Sequence, residues 1–235
     1  MAAIVGILPA ASVPDAARVL ASAFAADPFF GVLLGGRRPR SPRHRIAYPA
    51  FFRITIAEML SGGARVDLAV DDGNTVGVAA WAPPGGTDST RSSGLGAQVA
   101  RWRVTTDRAL IRVLYPGALA QIDGGFRELA PFHPTEPHWY LGFVGIEPAR
   151  QGRGLGRMLL QPVLDDADFS GTACYLETPF ERTLPFYRSL GFEIALRATL
   201  SFGQTPIWTM VRKPRSASPR KPMVRSNEWA DPTTM

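Results

Sequence analysis

Gln151-Gly152-Arg153-Gly154-Leu155-Gly156 places three glycines within five residues. Glycine takes positive φ at little cost and keeps side-chain bulk away, so such a run can turn sharply and present bare backbone N–H groups. The run follows an apolar stretch, residues 139–146. It opens a helical pattern over 155–167, where Leu155, Met158, Leu159 and Val163 fall near helical spacing. Where a glycine turn feeds a helix, unpaired N–H groups and the helix dipole both favour an anion, most often a phosphate. Arg153 and Arg157 add full positive charges beside it.

A glycine-rich connection without a ligand would use the same residues. A P-loop is excluded, because no Lys-Ser/Thr follows the glycines. A dinucleotide fingerprint also fits poorly. Arg157 stands where its third glycine belongs, and Glu147-Pro148-Ala149-Arg150 separates the glycines from the strand that should feed them directly. Glu177, at the end of the next apolar run, is the one feature that fingerprint would use.

Gln-x-x-Gly-x-Gly after Val144-Gly145-Ile146-Glu147-Pro148 resembles the acyl-CoA pyrophosphate loop of the GNAT N-acyltransferases. Further segments follow in that family's order. Cys174-Tyr175-Leu176-Glu177-Thr178 reads as the next strand, and Tyr187 to Phe192 resembles its Tyr-x-x-x-Gly-Phe segment. The segments 136–141 and 208–214 are most similar to a puromycin acetyltransferase-like branch. Residues 136–214 carry most of the likeness.

The resemblance implies an α/β fold: a mixed, mostly antiparallel central sheet flanked by helices, with one parallel pair of strands that splays apart. It implies acetyl-CoA as co-substrate and transfer of an acetyl group to an amine by direct attack on the thioester. The implied acyl-CoA contacts are Val144, Gly145 and Ile146 on the strand, then Gln151, Gly152, Arg153, Gly154, Leu155, Gly156 and Arg157. Tyr187 matches the tyrosine that donates to the departing sulfur. Glu177 is the leading candidate for the base, since a carboxylate there can take the proton of the attacking amine. His133, His138 or a water relay remain alternatives for that role. Relatives carry asparagines after the strand that ends near Glu177; here Phe180 and Thr183 stand in those places, so contacts from this segment are not carried over. The branch points to a small-molecule amine as acceptor. A non-catalytic acyl-CoA-binding module of the same fold is the alternative.

Composition narrows the other classes. Hydrophobic residues at 46% and charged residues at 20% suit a globular chain of 235 residues. No apolar run approaches a membrane span, and the start lacks the basic segment of a signal peptide, so a cytoplasmic protein is expected. A single cysteine, Cys174, excludes an internal disulfide and reads as a small buried strand residue. No metal-ligand motif is evident. The net charge of +6 raises the question of nucleic acid. Residues 211–235 hold six basic and two acidic residues, leaving 20 against 18 in the rest, so the body is nearly balanced. The five arginines of 37–45 lack interleaved aromatics and read as a solvated loop. No nucleic-acid or membrane partner is expected, and the protein should be a monomer or homodimer.

The elements that must position these residues follow from pattern. Residues 4–8 read as a strand, and 13–24 as a helix with Ser12 as N-cap. Phe29, Phe30, Val32, Leu33 and Leu34 are core or the wall of an acceptor pocket. Residues 44–60 read as a second helix, and 66–70 with 75–81 as a hairpin. Residues 87–135 form a helical insertion, with helices over 98–104, 107–114 and 118–129, placed to cover or line the acceptor site. Strands over 139–146 and 173–177 flank the glycine loop and a Pro162-kinked helix. A short helix over 183–190 ends at Gly191, and strands over 192–200 and 207–212 close the sheet. The domain should span 1–214, followed by a disordered basic tail at 215–235.

Overall fold

Val66 to Ala69 and Val76 to Trp81 are buried without a break, the signature of strands covered on both faces. Helices do cover both faces of this sheet. The computed structural model describes residues 3–27, 29–30, 41–85, 95–201 and 204–215. The strands are β1 (Ile4–Ile7), β2 (Arg65–Asp71), β3 (Asn74–Ala82), β4 (His138–Ile146), β5 (Ala173–Thr178), β6 (Glu193–Leu200) and β7 (Thr205–Arg212). They form one mixed sheet in the order β1-β2-β3-β4-β5-β7-β6. Only β4 and β5 run parallel; the other neighbours are antiparallel.

The helices are α1 (Val13–Ala23), α2 (Pro42–Ser61), α3 (Leu95–Leu114), α4 (Ala118–Leu129), α5 (Leu155–Ser170) and α6 (Leu184–Ser189). On one face, Leu20 of α1, Phe52 and Ile56 of α2 and Ile111 of α3 close over Leu68, Val78 and Phe143. Phe24, Phe30, Phe52 and Phe143 meet there with ring centroids 5.5–6.1 Å apart. On the other face, Leu155, Leu159, Leu160, Val163, Leu164 and Ala167 of α5 cover Ala79, Leu141 and Leu176. That spacing is a helical stripe. Met158, expected on the stripe, is 41% exposed; Leu160 and Leu164 take its share of the contact.

Several local expectations change. Ser12 makes no side-chain cap; its N–H bonds to Pro9 O at 2.9 Å inside a 3-10 turn. The second helix starts at Pro42, where Ser41 Oγ accepts from His44 N at 3.3 Å. Residues 95–114 form one helix rather than two, because Thr105 and Thr106 are tolerated and Asp107 is engaged. Arg53 of α2 grips Asp107 through two hydrogen bonds, at 2.8 and 2.5 Å. Val32, Leu33, Leu34, the arginines 37–40 and the tail beyond 215 lie outside the described residues.

Candidate active site

β4 and β5 pair from His138↔Ala173 to Leu141↔Leu176 and no further. β4 runs on to Ile146, so residues 142–146 have no strand partner on the β5 side among the described residues. The parting coincides with a bulge in β4. Ala80 pairs with Phe143 and Trp81 with Leu141, leaving Gly142 between them. A bulge bends its strand and raises its twist. Gly142 also lies against α2: a Cβ there would sit 3.0 Å from Met59 Cε. Gly145 is equally constrained, since a Cβ would come within 2.9 Å of Leu20 and Ala23 of α1. Val144 and Ile146 pack toward α5.

The glycine loop follows at this open edge. Gly152 and Gly154 take φ of +77° and +81°, and no atom lies within 4 Å of where their Cβ atoms would be. Their backbone therefore needs glycine while the space above it is free. Gly154 is the N-cap of α5, so the helix N-terminus opens into that space. Gln151 Nε2 donates to Ile146 O at 3.1 Å and closes the loop back on its strand. Arg153 is exposed and has no partner among the described residues. The other two residues of the motif are occupied otherwise. Gly156 makes room for Phe186, whose Cζ would lie 3.0 Å from a Cβ, and Arg157 Nη2 donates to Ser189 O and Oγ at 3.1 and 3.0 Å. Both tie α5 to α6, and Leu155 is buried in the core.

Tyr187 lies on the α5 side of the sheet, on α6, with Cys174, Leu176 and Leu141 in the same cluster. It is 8% exposed, and its hydroxyl has no hydrogen-bond partner among the described residues. Burial pushes its phenol well above the usual range, so it stays protonated at neutral pH and remains a donor.

Glu177 faces the opposite way. Side chains alternate along a strand, so Tyr175 and Glu177 point away from Cys174 and Leu176. Glu177 is opposite Thr209 of β7, and its side chain is 5% exposed. His133 Nε2 lies 3.0 Å from Glu177 Oε1, off the line of a good hydrogen bond, and Oε1 has no other partner. Tyr175 OH and Thr209 Oγ1 are likewise buried and unpartnered. The His133 ring is 4.6 Å from the Tyr140 ring and 4.7 Å from that of Tyr175. Burial first, then the Glu177 carboxylate, raises both phenols. His138 stands 5.7 Å from His133 by ring centroid, its Nδ1 donating to Glu136 O at 2.8 Å. The Glu177 carboxylate, the His133 imidazole and the Tyr140 and Tyr175 rings thus stand together beside the β4–β5 parting. Tyr187 approaches that parting from the other face.

Sequence reasoning named Glu177, Tyr187 and the two histidines, but not Tyr140, Tyr175 or Thr209. Nothing local marks those three as polar groups for a site. The register of β4, β5 and β7 brings them together, and the only early signal is the polar, aromatic alternation of Tyr175 and Glu177 inside an otherwise apolar strand. The turn after β5 departs from the asparagine pattern for a visible reason. Thr183 Oγ1 donates to Phe180 O at 2.7 Å and meets Thr178 Oγ1 at 2.8 Å, so it holds the turn rather than a ligand. Cys174 is fully buried, and burial pushes its thiol up to about 12, which leaves it inert. Among the described residues no cluster of His, Cys, Asp and Glu is placed to hold a metal, and no helix is long and apolar enough to cross a membrane.

Known proteins share this fold. The crystal structure of a Corynebacterium glutamicum protein described as histone acetyltransferase HPA2 and related acetyltransferase superposes with a TM-score of 0.62, covering 93% of this chain and 99% of that one at 24% identity. A phosphinothricin acetyltransferase from Sinorhizobium meliloti, solved with AcCoA, gives 0.51 over 95% of each chain at 15% identity. At these identities the likeness is one of fold. In sequence, N-alpha-acetyltransferase RimI of Mycobacterium tuberculosis is 40% identical over 72 residues, 29% of this chain and 44% of RimI. An uncharacterized N-acetyltransferase of Schizosaccharomyces pombe is 32% identical over 82 residues, 34% of this chain and 33% of that protein. The chain spans less than half the length of these two relatives, and none of the four singles out the puromycin branch. The model of the acetyltransferase (GNAT) family matches residues 40–192, which include the bulged strand, the glycine loop, Glu177 and Tyr187. On that match, with the sheet and its single parallel pair, this chain belongs to the GNAT acetyltransferase family.

Proposed function

We propose that the protein is an N-acetyltransferase that uses acetyl-CoA and acetylates an amine of a small molecule. One observation carries this: the parting of β4 and β5 has an open glycine-lined helix N-terminus on one side and a buried carboxylate beside an imidazole on the other. The residues present fit acetyl-CoA. Gly152 and Gly154 leave free space over backbone N–H groups, and Arg153 offers an uncommitted positive charge for a pyrophosphate. The unpaired edge of β4 over 142–146 offers backbone hydrogen bonds to an extended arm. Gly156 and Arg157 support that cradle through α6 instead of forming its surface.

Acetyl-CoA, when bound, supplies an acetyl thioester, so the reaction forms a C–N bond to the amine and breaks the C–S bond. Glu177 accepts the amine proton. A β4 N–H beside the bulge stabilises negative charge on the carbonyl oxygen. Tyr187 gives a hydrogen bond or proton to the departing sulfur. The reading of a small acceptor rests on the likeness of residues 136–141 and 208–214 to the puromycin acetyltransferase-like branch. Glu128 of α4 accepts from Ser201 N at 2.5 Å and Ser201 Oγ at 3.0 Å, which ties the helical segment preceding β4 to the β6–β7 hairpin. The identity with RimI favours a second reading, a protein N-terminal amine as acceptor.

Thiol release from acetyl-CoA, measured over a panel of small primary amines and short peptides, tests both readings. Turnover with small amines and none with peptides supports the first; the reverse supports the second. Calorimetry should show acetyl-CoA binding that Gly154→Val weakens at least about tenfold, because a β-branched residue cannot hold that φ without moving the loop. Binding without turnover of any acceptor would leave the acyl-CoA-binding module.

A further inference from the structure

Glu177 has a difficulty as a base. An amine at neutral pH arrives as an ammonium, and every turnover must return a proton to water. Glu177 is only 5% exposed and stands close to the Tyr140 and Tyr175 phenols, so little of the carboxylate meets solvent directly. One side chain bridges the carboxylate and the solvent. His133 follows the 3-10 turn Ala130–Phe132, has Nε2 3.0 Å from Glu177 Oε1, and is 29% exposed. Its Nδ1 has no hydrogen-bond partner among the described residues. His138, the other imidazole here, has its Nδ1 committed to Glu136 O, and the ion-pair contact to the carboxylate is made by His133. Among the described residues, the other titratable groups beside the pair are the phenols of Tyr140 and Tyr175, which stay protonated.

We propose, on the acetyltransferase reading above, that His133 is the proton outlet of the site, carrying to solvent the proton that Glu177 takes from the amine. The proton passes from the Glu177 carboxyl to the Nε2 lone pair, and the imidazolium releases the Nδ1 proton to water. The neutral ring then exchanges tautomers through solvent. No electrons move and no other reactant is needed. His133 acts through Glu177 and is a positioning residue for proton flow. The 3-10 turn fixes its place: His133 N bonds to Ala130 O at 3.3 Å, which sets the start of the strand-entry segment over the end of β5.

A relay differs from a packing residue in one measurable way: a small diffusible base can replace it. His133→Ala should cut kcat about ten- to a hundredfold in dilute buffer, at the low end of what a positioned proton carrier contributes. The probe is phenethylamine, or the fastest amine of the panel, with saturating acetyl-CoA. Adding imidazole should restore the rate in proportion to its concentration, while wild-type enzyme ignores it. Acetyl-CoA affinity and melting temperature should hold, because the cofactor loop lies on the other face. In a Glu177→Gln background, removing His133 should cost nothing more, since the two act in series. Wild-type kcat for His133→Ala in dilute buffer overturns the relay. So does a loss that imidazole leaves untouched. A wild-type enzyme that binds acetyl-CoA and turns over no amine overturns the acetyltransferase reading itself, a result distinct from either.

Discussion

The two faces of the sheet are built differently. On the α5–α6 face, among the described residues, the fully buried polar atoms left without partners are the indole N–H groups of Trp81 and Trp208, in addition to the Tyr187 hydroxyl. The strongly polar groups there are paired: Arg212, 2% exposed, donates to both carboxylate oxygens of Asp168 at 2.8 and 2.6 Å and to Leu190 O at 3.0 Å. On the α1–α2 face, among the described residues, the fully buried atoms without a well-formed hydrogen bond are a carboxylate oxygen, two phenols, a threonine hydroxyl and an imidazole nitrogen, on Glu177, Tyr48, Tyr175, Thr209 and His44. Buried polar groups are expensive to leave unpaired. One face therefore spends its polar residues on holding helices in place, and the other keeps several uncommitted beside the β4–β5 parting. The contrast assigns stability to one side and acceptor chemistry to the other, and each substitution below can break that assignment.

The largest effect is expected at Glu177. Glu177→Gln keeps the volume and removes the base proposed above, so kcat should fall about a hundred- to ten-thousandfold. Acetyl-CoA affinity, which we propose is set from the other face, should stay within about twofold. Rate measurements beside a calorimetric titration check this. A loss of affinity matching the loss of rate would mean that the two faces are not separate in function.

Next comes Arg212, where the cost should appear in stability. Arg212→Ala leaves Asp168 without its main partner and should cost about 3–5 kcal/mol. Burial alone would push the Asp168 carboxyl up, but Arg212 and the Arg215 N–H outweigh it and hold it below the ordinary carboxylate value. A carboxyl depressed in the fold adds stability above its unfolded pKa, near 3.8, and loses it as pH falls through the lower folded value. Urea unfolding should therefore show the penalty in full at neutral pH and a smaller one in acid. An Arg212→Ala protein as stable as wild type would show that this face is not held by its polar pairs.

How much of this was legible beforehand also divides by face. The glycine loop, the strand before it, the α5 stripe and Tyr187 are contiguous or regularly spaced, so residue type and period locate them. The loop's internal division of labour was not legible. Gly152 and Gly154 are needed for φ, Gly156 for the approach of Phe186, and Arg157 for Ser189, and only the placement of α6 tells them apart. The acceptor face was legible in fragments. Glu177 and His133 could each be named, but their pairing depends on the parallel register of β4 and β5 and on β7 lying between β5 and β6. Long-range register leaves no local trace, so Tyr140, Tyr175 and Thr209 passed as ordinary strand residues.

Tyr187 tests whether the α5–α6 face contributes any chemistry at all. Tyr187→Phe removes one donor and almost no volume, and the ring still packs on Phe186 and Phe192, 5.2 and 6.0 Å away by centroid. Turnover should drop roughly ten- to a thousandfold, with equal losses in kcat and kcat/KM. Acetyl-CoA binding and melting temperature should scarcely move. Wild-type kcat would leave Tyr187 a packing residue and confine the chemistry to the Glu177 face.

The smallest effect is expected from Asp27, in the turn that follows α1 on the acceptor face. Its Oδ1 accepts from Phe29 N at 2.8 Å and Phe30 N at 3.2 Å, and the residue is 2% exposed. Burial raises its carboxyl from 3.8 to about 6, although the two N–H groups and the charge of Arg182 pull the other way. The folded state therefore holds the Asp27 proton to higher pH than the unfolded chain does. Its contribution to stability is fully present below about pH 3.8 and is lost as pH rises through about 6. At about 1.4 kcal/mol per pKa unit the loss is at most about 3 kcal/mol. Asp27→Asn keeps an oxygen for the two N–H groups and cannot ionise. Relative to wild type, the variant should gain stability between about pH 4 and about pH 7 and show no further gain above that. Urea unfolding of both proteins across this range measures the gap. A gap that stays constant with pH would mean that the Asp27 charge is already accommodated in the fold. The acceptor face would then hold one more committed polar group, and Glu177 with its neighbours would stand alone as the uncommitted set.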